Sequence, residues 1–198
     1  MNQRPRKLLL AAVVLAVLLM AGGVWMYVSR GTDEGGGLGI GGPFALQDGG
    51  GRTVTDRDLR GRFLLVYFGY TFCPDVCPTT LNQVASALDK LGAKAERLQV
   101  LFITVDPQRD TPQVVRDYAA AFSPRIMGLT GTPEQIAQVA RAYRVYYAPH
   151  RTGEGGGDYT VDHSSILYLM DPDGRFVAPI RADESAEAMA ADLAKQLR

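Results

Sequence analysis

Apolar residues fall in blocks along this chain, and the first block differs from all the others. Residues 8–28 are twenty-one consecutive positions without a charge. A helix of that length crosses the hydrocarbon core of a bilayer, so the block predicts one N-terminal transmembrane helix. Residues 30–43 follow with seven glycines and little that can pack. They read as a flexible tether, about 20 Å end to end on average. From residue 44 onward the apolar blocks are short. Residues 43–54, interrupted by three glycines at 49–51, predict a small hairpin. Residues 63–68 are continuously apolar, as in a strand buried on both faces. Over 79–91 the apolar positions Leu81, Val84, Leu88 and Leu91 recur at helical spacing, and Gly92 stops the pattern.

A second buried strand spans 98–105, broken by Asp106-Pro107. Asp110 or Thr111 caps the next helix, with Pro112 in its first turn and Val114, Val115, Tyr118 and Phe122 on its apolar side. Another helix opens at Thr132-Pro133-Glu134. Residues 149–160 are polar and glycine-rich and read as a loop. Residues 165–170 form a third strand; Asp171-Pro172-Asp173-Gly174 is a turn signal, and 175–180 return as a strand. Residues 186–197 are a final amphipathic helix. This order predicts an α/β domain with a mixed sheet flanked by helices. The layout is an anchor at 1–29, a linker at 30–43 and one domain at 44–198, large enough for a real core.

Charge refines this picture at both ends. Arg4, Arg6 and Lys7 precede the apolar block, so the N-terminus stays in the cytoplasm and the domain lies outside it. Trp25 and Tyr27 suit an interfacial aromatic belt. A cleaved signal peptide is the alternative, but its apolar region is usually shorter, and no Ala-x-Ala site is evident. Either way the domain is exported, where disulfides can form. The net charge is zero, and no basic patch with interleaved aromatics points to nucleic acid.

The chain has two cysteines, in Tyr70-Thr71-Phe72-Cys73-Pro74-Asp75-Val76-Cys77-Pro78. This places both thiols at a strand-to-helix turn, near the positive end of a helix dipole. Thiolates are stabilised there, so they are nucleophilic, easily oxidised and ready to bind soft metals. A disulfide between them that only staples the turn would be weak, because so short a loop removes little unfolded-state entropy. Two histidines are present. His150 lies in the polar loop and reads as solvated. His163 stands just before the third strand, which returns beside the thiol turn. Alone it would be an ordinary hydrogen-bonding group; beside two thiols it completes a small soft site. Such a donor set suits Cu(I) and also tolerates Cu(II), whereas structural zinc normally takes four protein ligands. Asp75 and Asp162 flank these residues as candidates to orient His163 or supplement the shell. Asp106-Pro107-Gln108-Arg109-Asp110-Thr111-Pro112 reads as a strand-end turn and helix cap.

Three strings in this order resemble the Sco/SenC family. They are Phe68-Gly-Tyr-Thr-Phe-Cys-Pro-Asp-Val-Cys-Pro-Thr-Thr-Leu81, Val105-Asp-Pro-Gln-Arg-Asp-Thr-Pro112, and Val161-Asp-His-Ser164 with Asp171-Pro-Asp-Gly174. The resemblance implies a thioredoxin-like fold with an added hairpin. It implies copper held by Cys73, Cys77 and His163, and a part in building the dinuclear copper centre of cytochrome c oxidase subunit two. No mitochondrial targeting segment precedes the anchor, so a bacterial inner membrane is expected, with the domain on the periplasmic side. An exported thiol reductase is expected to keep Cys73 and Cys77 reduced. The competing reading is a membrane-anchored thiol–disulfide oxidoreductase that reduces the oxidase copper-site cysteines. Enzymes of that kind usually carry Cys-x-x-Cys and a cis-proline before the third strand; this chain has one more residue between the cysteines and Ser165 in that slot. A thiol peroxidase is poorly supported by this pair.

Overall fold

In the computed structural model, residues 39–151 and 159–197, together with Met20 and Gly22, are described. The expected anchor at 8–28 and nearly all of the linker therefore lie outside the described residues. Among the described residues no helix is long and apolar enough to cross a membrane. The chain divides into Met1–Glu34 and Gly35–Arg198, and the second unit holds every described strand.

Five strands make the main sheet in the order β5-β4-β3-β8-β9. They are β3 (Phe63–Gly69), β4 (Leu98–Thr104), β5 (Ile126–Leu129), β8 (Ile166–Met170) and β9 (Phe176–Arg181). β3, β4 and β5 run parallel, β8 runs against β3, and β9 runs against β8. Four helices accompany them: α1 (Val76–Leu91), α2 (Pro112–Phe122), α3 (Pro133–Ala142) and α4 (Ala186–Gln196). This is a mixed α/β domain with a central mixed sheet flanked by helices, consistent with the thioredoxin-like fold that the resemblance implies.

The central strand explains the layering. All seven residues of β3 are buried. Phe63, Leu65 and Tyr67 point to one face, against α1, α2 and α4. Leu64, Val66 and Phe68 point to the other, against α3 and the small hairpin of β1 (Ala45–Gln47) and β2 (Thr53–Thr55). A strand covered on both faces has no polar side to show, which is why its sequence is an unbroken apolar run. Two helix starts follow the sequence closely. Thr111 and Thr132 accept hydrogen bonds from the backbone N–H groups of Val114 and Gln135, each with proline next in the chain.

Three elements depart from expectation. β5 gave no signal, because its four residues include Met127 and Gly128, which carry little strand preference; parallel pairing with β4 makes it a strand. Residues 149–160, expected as a loop, contain parts of a second hairpin, β6 (Tyr147–Arg151) with β7 (Tyr159–His163). Three of the five β6 residues are exposed, so backbone pairing rather than burial holds this ribbon, and no apolar alternation marked it. Finally, α1 begins at Val76, ahead of the expected start. Pro78 falls within its first turn, where a missing N–H costs no helical bond.

Candidate metal centre

β3 delivers the chain to the site. It ends at Gly69 in the middle of the sheet, and the turn that follows runs directly into α1. A side chain at Gly69 is excluded by close approach: a Cβ there would stand 2.7 Å from Cys77 Sγ and 2.8 Å from the Phe102 ring. Gly69→Ala is therefore expected to cost about 1–3 kcal/mol by overpacking and to displace the Cys77 sulfur. Thermal unfolding and metal titration of that variant measure both effects; parental values for both would show that the approach is not limiting.

Cys77 is fully buried within the first turn of α1, and Cys73 is half-buried just before it. The backbone N–H of Cys77 donates to Cys73 Sγ at 3.4 Å. His163 closes β7, and its Nε2 stands 3.3 Å from Cys77 Sγ. One ligand atom from each of Cys73, Cys77 and His163 lies within 4.8 Å of the others. Around a first-row ion with bonds of roughly 2.0–2.3 Å, three ligand atoms stand about 3.5–4 Å apart. Closing the group on an ion thus takes only a small shift, and its two sulfurs and one nitrogen fit copper.

The two sulfurs are not equivalent. The Cys77 thiol donates to Cys73, and His163 and backbone N–H groups add to this, so the Cys73 pKa is lowered to about 3. The partner effect on Cys77 is opposite. Sharing its proton with Cys73, and burial, push its pKa up. Tyr67 donates its hydroxyl to Cys77 Sγ at 3.7 Å, and burial keeps that phenol protonated. Of the pair, Cys73 is thus the more readily ionised and Cys77 the one that holds its proton. Metal binding must release the Cys77 proton.

His163 is held by rings and a carbonyl. Tyr70 and Tyr67 meet its imidazole edge-on, at centroid distances of 5.9 and 6.1 Å. Its Nδ1 stands 3.3 Å from the Ser164 carbonyl. That carbonyl can take a proton from Nδ1, and in the tautomer that does so the Nε2 lone pair is free to meet a metal ion between it and the sulfurs. Asp75 is exposed and accepts a hydrogen bond from Thr79 Oγ1 at 3.4 Å. Asp162 is exposed on β7, opposite Ala148. His150 lies on β6 opposite Thr160, exposed and outside the ligand group.

Sequence reasoning missed the scaffold behind the ligands. Thr111 does cap α2, but Asp106, Arg109 and Asp110 do more than make a turn. Asp110 is fully buried, and its carboxylate accepts from the Thr71 N–H at 3.0 Å and from the Thr71 and Thr104 hydroxyls, each at 2.6 Å. It thereby fixes the thiol turn from 39 residues away. Asp106 is buried too, bonded to Arg109 and to the Tyr159 hydroxyl at 2.8 Å. The available signal was placement: two acids and an arginine directly after a buried strand cannot all be solvated. Exposed apolar side chains stand close in sequence to Cys73, Cys77 and His163, or are linked to a neighbour of one of them. Phe72 and Val76 are exposed beside Cys73 and Cys77, and Ile166 is exposed three residues past His163. Tyr146, also exposed, is bonded through its backbone to Ser164.

Residues 32–198 match the family model described as SCO1/SenC. The chain belongs to the SCO1/SenC family. Its relatives include the human mitochondrial SCO1 homologue, 44% identical over 161 residues that cover 80% of this chain and 53% of the human protein. The chain thus spans about half the length of that curated relative. Among solved SCO1/SenC structures, Bradyrhizobium japonicum ScoI with copper bound is 47% identical, with a TM-score of 0.73 over 80% of this chain and 99% of that one. Yeast Sco1 with copper bound is 40% identical, with a TM-score of 0.73 over 80% of this chain and 88% of that one.

Proposed function

We propose that this SCO1/SenC protein is a membrane-tethered copper carrier. Cys73, Cys77 and His163 hold one copper ion as cargo, as Cu(I) or Cu(II), for delivery to the dinuclear copper centre of cytochrome c oxidase subunit two. The observation that carries this reading is the convergence of two sulfurs and one imidazole nitrogen within 4.8 Å. Relatives solved with copper bound support it. Residues 1–29 anchor the protein, 30–43 form the linker, and the domain from 44 works on the periplasmic face of a bacterial inner membrane. An exported thiol reductase keeps Cys73 and Cys77 reduced. The exposed apolar side chains of Phe72, Val76, Tyr146 and Ile166 suit brief docking of an acceptor over the metal.

Anaerobic copper titration of the reduced full-length protein tests the assignment. About one copper per chain is expected, with thiolate-to-metal charge-transfer absorption for Cu(II). His163→Ala is expected to weaken Cu(II) more than Cu(I), because Cu(I) accepts two thiolates alone. His150→Ala should change neither. Equal losses from the two histidine variants would refute the ligand set.

A second reading is favoured by the unequal sulfurs. An accessible thiolate at Cys73 beside a buried thiol at Cys77 is the arrangement of an attacking and a resolving cysteine. Cys73 would attack an oxidised dithiol on the oxidase, releasing one partner thiolate and forming a mixed disulfide. Cys77 would then lose its proton, attack Cys73, and release the partner reduced. Restoration of oxidase activity by His163→Ala separates the readings: full restoration with undiminished thiol exchange and weakened Cu(II) binding would leave reduction as the role, and failure to restore it would favour copper carriage.

A further inference from the structure

The two thiols sit on one continuous segment, but His163 comes from elsewhere. It ends β7, which among the described residues pairs only with β6 and joins no strand of the main sheet. A two-stranded ribbon alone is marginally stable in water. The His163 end is tied to the main sheet by β8, which begins at Ile166 and pairs with β3, but the rest of the ribbon must be held from outside. At the His163 end, Ser164 and Tyr146 exchange backbone and side-chain hydrogen bonds at 3.0 and 3.2 Å. At the far end of β7, the anchor is Arg109.

Arg109 follows β4, distant in sequence from both halves of the site. Its Nη1 donates to the Tyr159 carbonyl at 3.0 Å, and its Nε to Asp106. Its guanidinium carbon lies 3.7 Å from the centroid of the Tyr159 ring. The same group lies 4.8 Å from the Phe72 ring, beside Cys73, and 5.7 Å from the Tyr70 ring, which also meets His163. The Tyr159 hydroxyl returns to Asp106 at 2.8 Å. Nη2 is buried and has no hydrogen-bond partner among the described residues, so the aromatic faces supply the negative surface for this cation. One side chain thus touches the thiol turn and the histidine ribbon while touching no ligand.

We propose that Arg109 is a positioning residue that draws the β6–β7 ribbon onto the thiol turn and so supports Cu(II) binding more than Cu(I) binding. The inference rests on the copper reading. Two thiolates satisfy Cu(I) without the imidazole, whereas Cu(II) needs it. Loss of the clasp therefore falls on Cu(II). Lysine cannot replace arginine here, because it keeps the charge but lacks the planar fork that bonds Asp106 and Tyr159 while stacking.

Arg109→Gln and Arg109→Lys in the reduced full-length protein test this. Cu(II) affinity should fall about 10- to 100-fold and Cu(I) affinity by less than about threefold, the scale for groups that orient a ligand. In the metal-free protein, backbone amide exchange should accelerate in β6 and β7 and stay unchanged in β3 and β4. Tyr159→Phe, which removes only the hydroxyl, should give the same pattern more weakly. It carries the test if the Arg109 variants do not fold. Equal loss of both oxidation states, parental Cu(II) affinity, or unchanged exchange in β7 would overturn the proposal. His163→Ala is measured in parallel. If it keeps parental Cu(II) affinity, the copper reading has failed, and the exchange data alone decide whether the clasp exists.

Discussion

Replacing Cys73 or Cys77 by alanine should abolish tight copper binding. The shell has two sulfurs and one nitrogen, and removing either sulfur leaves a two-atom site open to water. Structural zinc sites gain roughly 10–16 kcal/mol from four ligands, so one thiolate is worth about 2.5–4 kcal/mol, or about 60- to 700-fold in affinity. Cys73→Ala is the cleaner variant, because Cys73 is half-buried. Cys77 is fully buried and belongs to the core, so Cys77→Ala also opens a small cavity. Cys77→Ser, closer in size, separates the two effects. Oxidation of the pair to a disulfide should match the alanine variants, since both sulfurs are then consumed. Competition against a chelator measures the affinities. A double Cys73→Ala, Cys77→Ala protein that binds copper as tightly as the parent would remove the site from these residues.

A full-length protein carrying Cys73→Ser and Cys77→Ser should fail to restore oxidase activity to a strain lacking the gene. The parent should restore it fully, and added copper should restore it in part. The contrast is expected to be near all-or-none at limiting copper, because both the carrier and the reductant readings require these sulfurs. The serine variant changes only the two sulfurs, so its failure would be assigned to them. Full activity from the thiol-free protein at limiting copper would exclude both readings.

The elements that bury apolar residues were the legible ones. β3 and β4 announce themselves as continuous apolar runs, and Thr111-Pro112 and Thr132-Pro133 mark helix starts by cap chemistry that needs no tertiary context. The grouping of Cys73, Cys77 and His163 was legible because their residue types are scarce: with two cysteines and two histidines, the choice lay between His150 and His163, and β8 brings His163 back beside β3. What stayed hidden is held by pairing or by polar bonds. β5 exists because β4 offers it an edge. The β6–β7 ribbon shows little burial and hence no periodicity. Asp106, Arg109 and Asp110 look like turn residues, since nothing local reveals that Thr71 and Tyr159 arrive to meet them.

The Asp110 hydrogen bonds bear on protein engineering. The nine residues from Tyr70 to Pro78 look like a portable cassette, ready to be spliced between a strand and a helix of another scaffold. Their shape, however, is imposed from outside. Thr71 spends both its N–H and its hydroxyl on a carboxylate that Thr104 also serves, and Asp110 is itself seated by the Thr130 hydroxyl on its carbonyl. Transplanted alone, the cassette would leave Thr71 without its acceptor and the sulfurs without a fixed spacing. A working graft must carry Thr104, Asp110 and Thr130 with it, together with a ribbon bearing the histidine. The transferable unit is thus three neighbouring strand ends and the ribbon opposite them, not one loop.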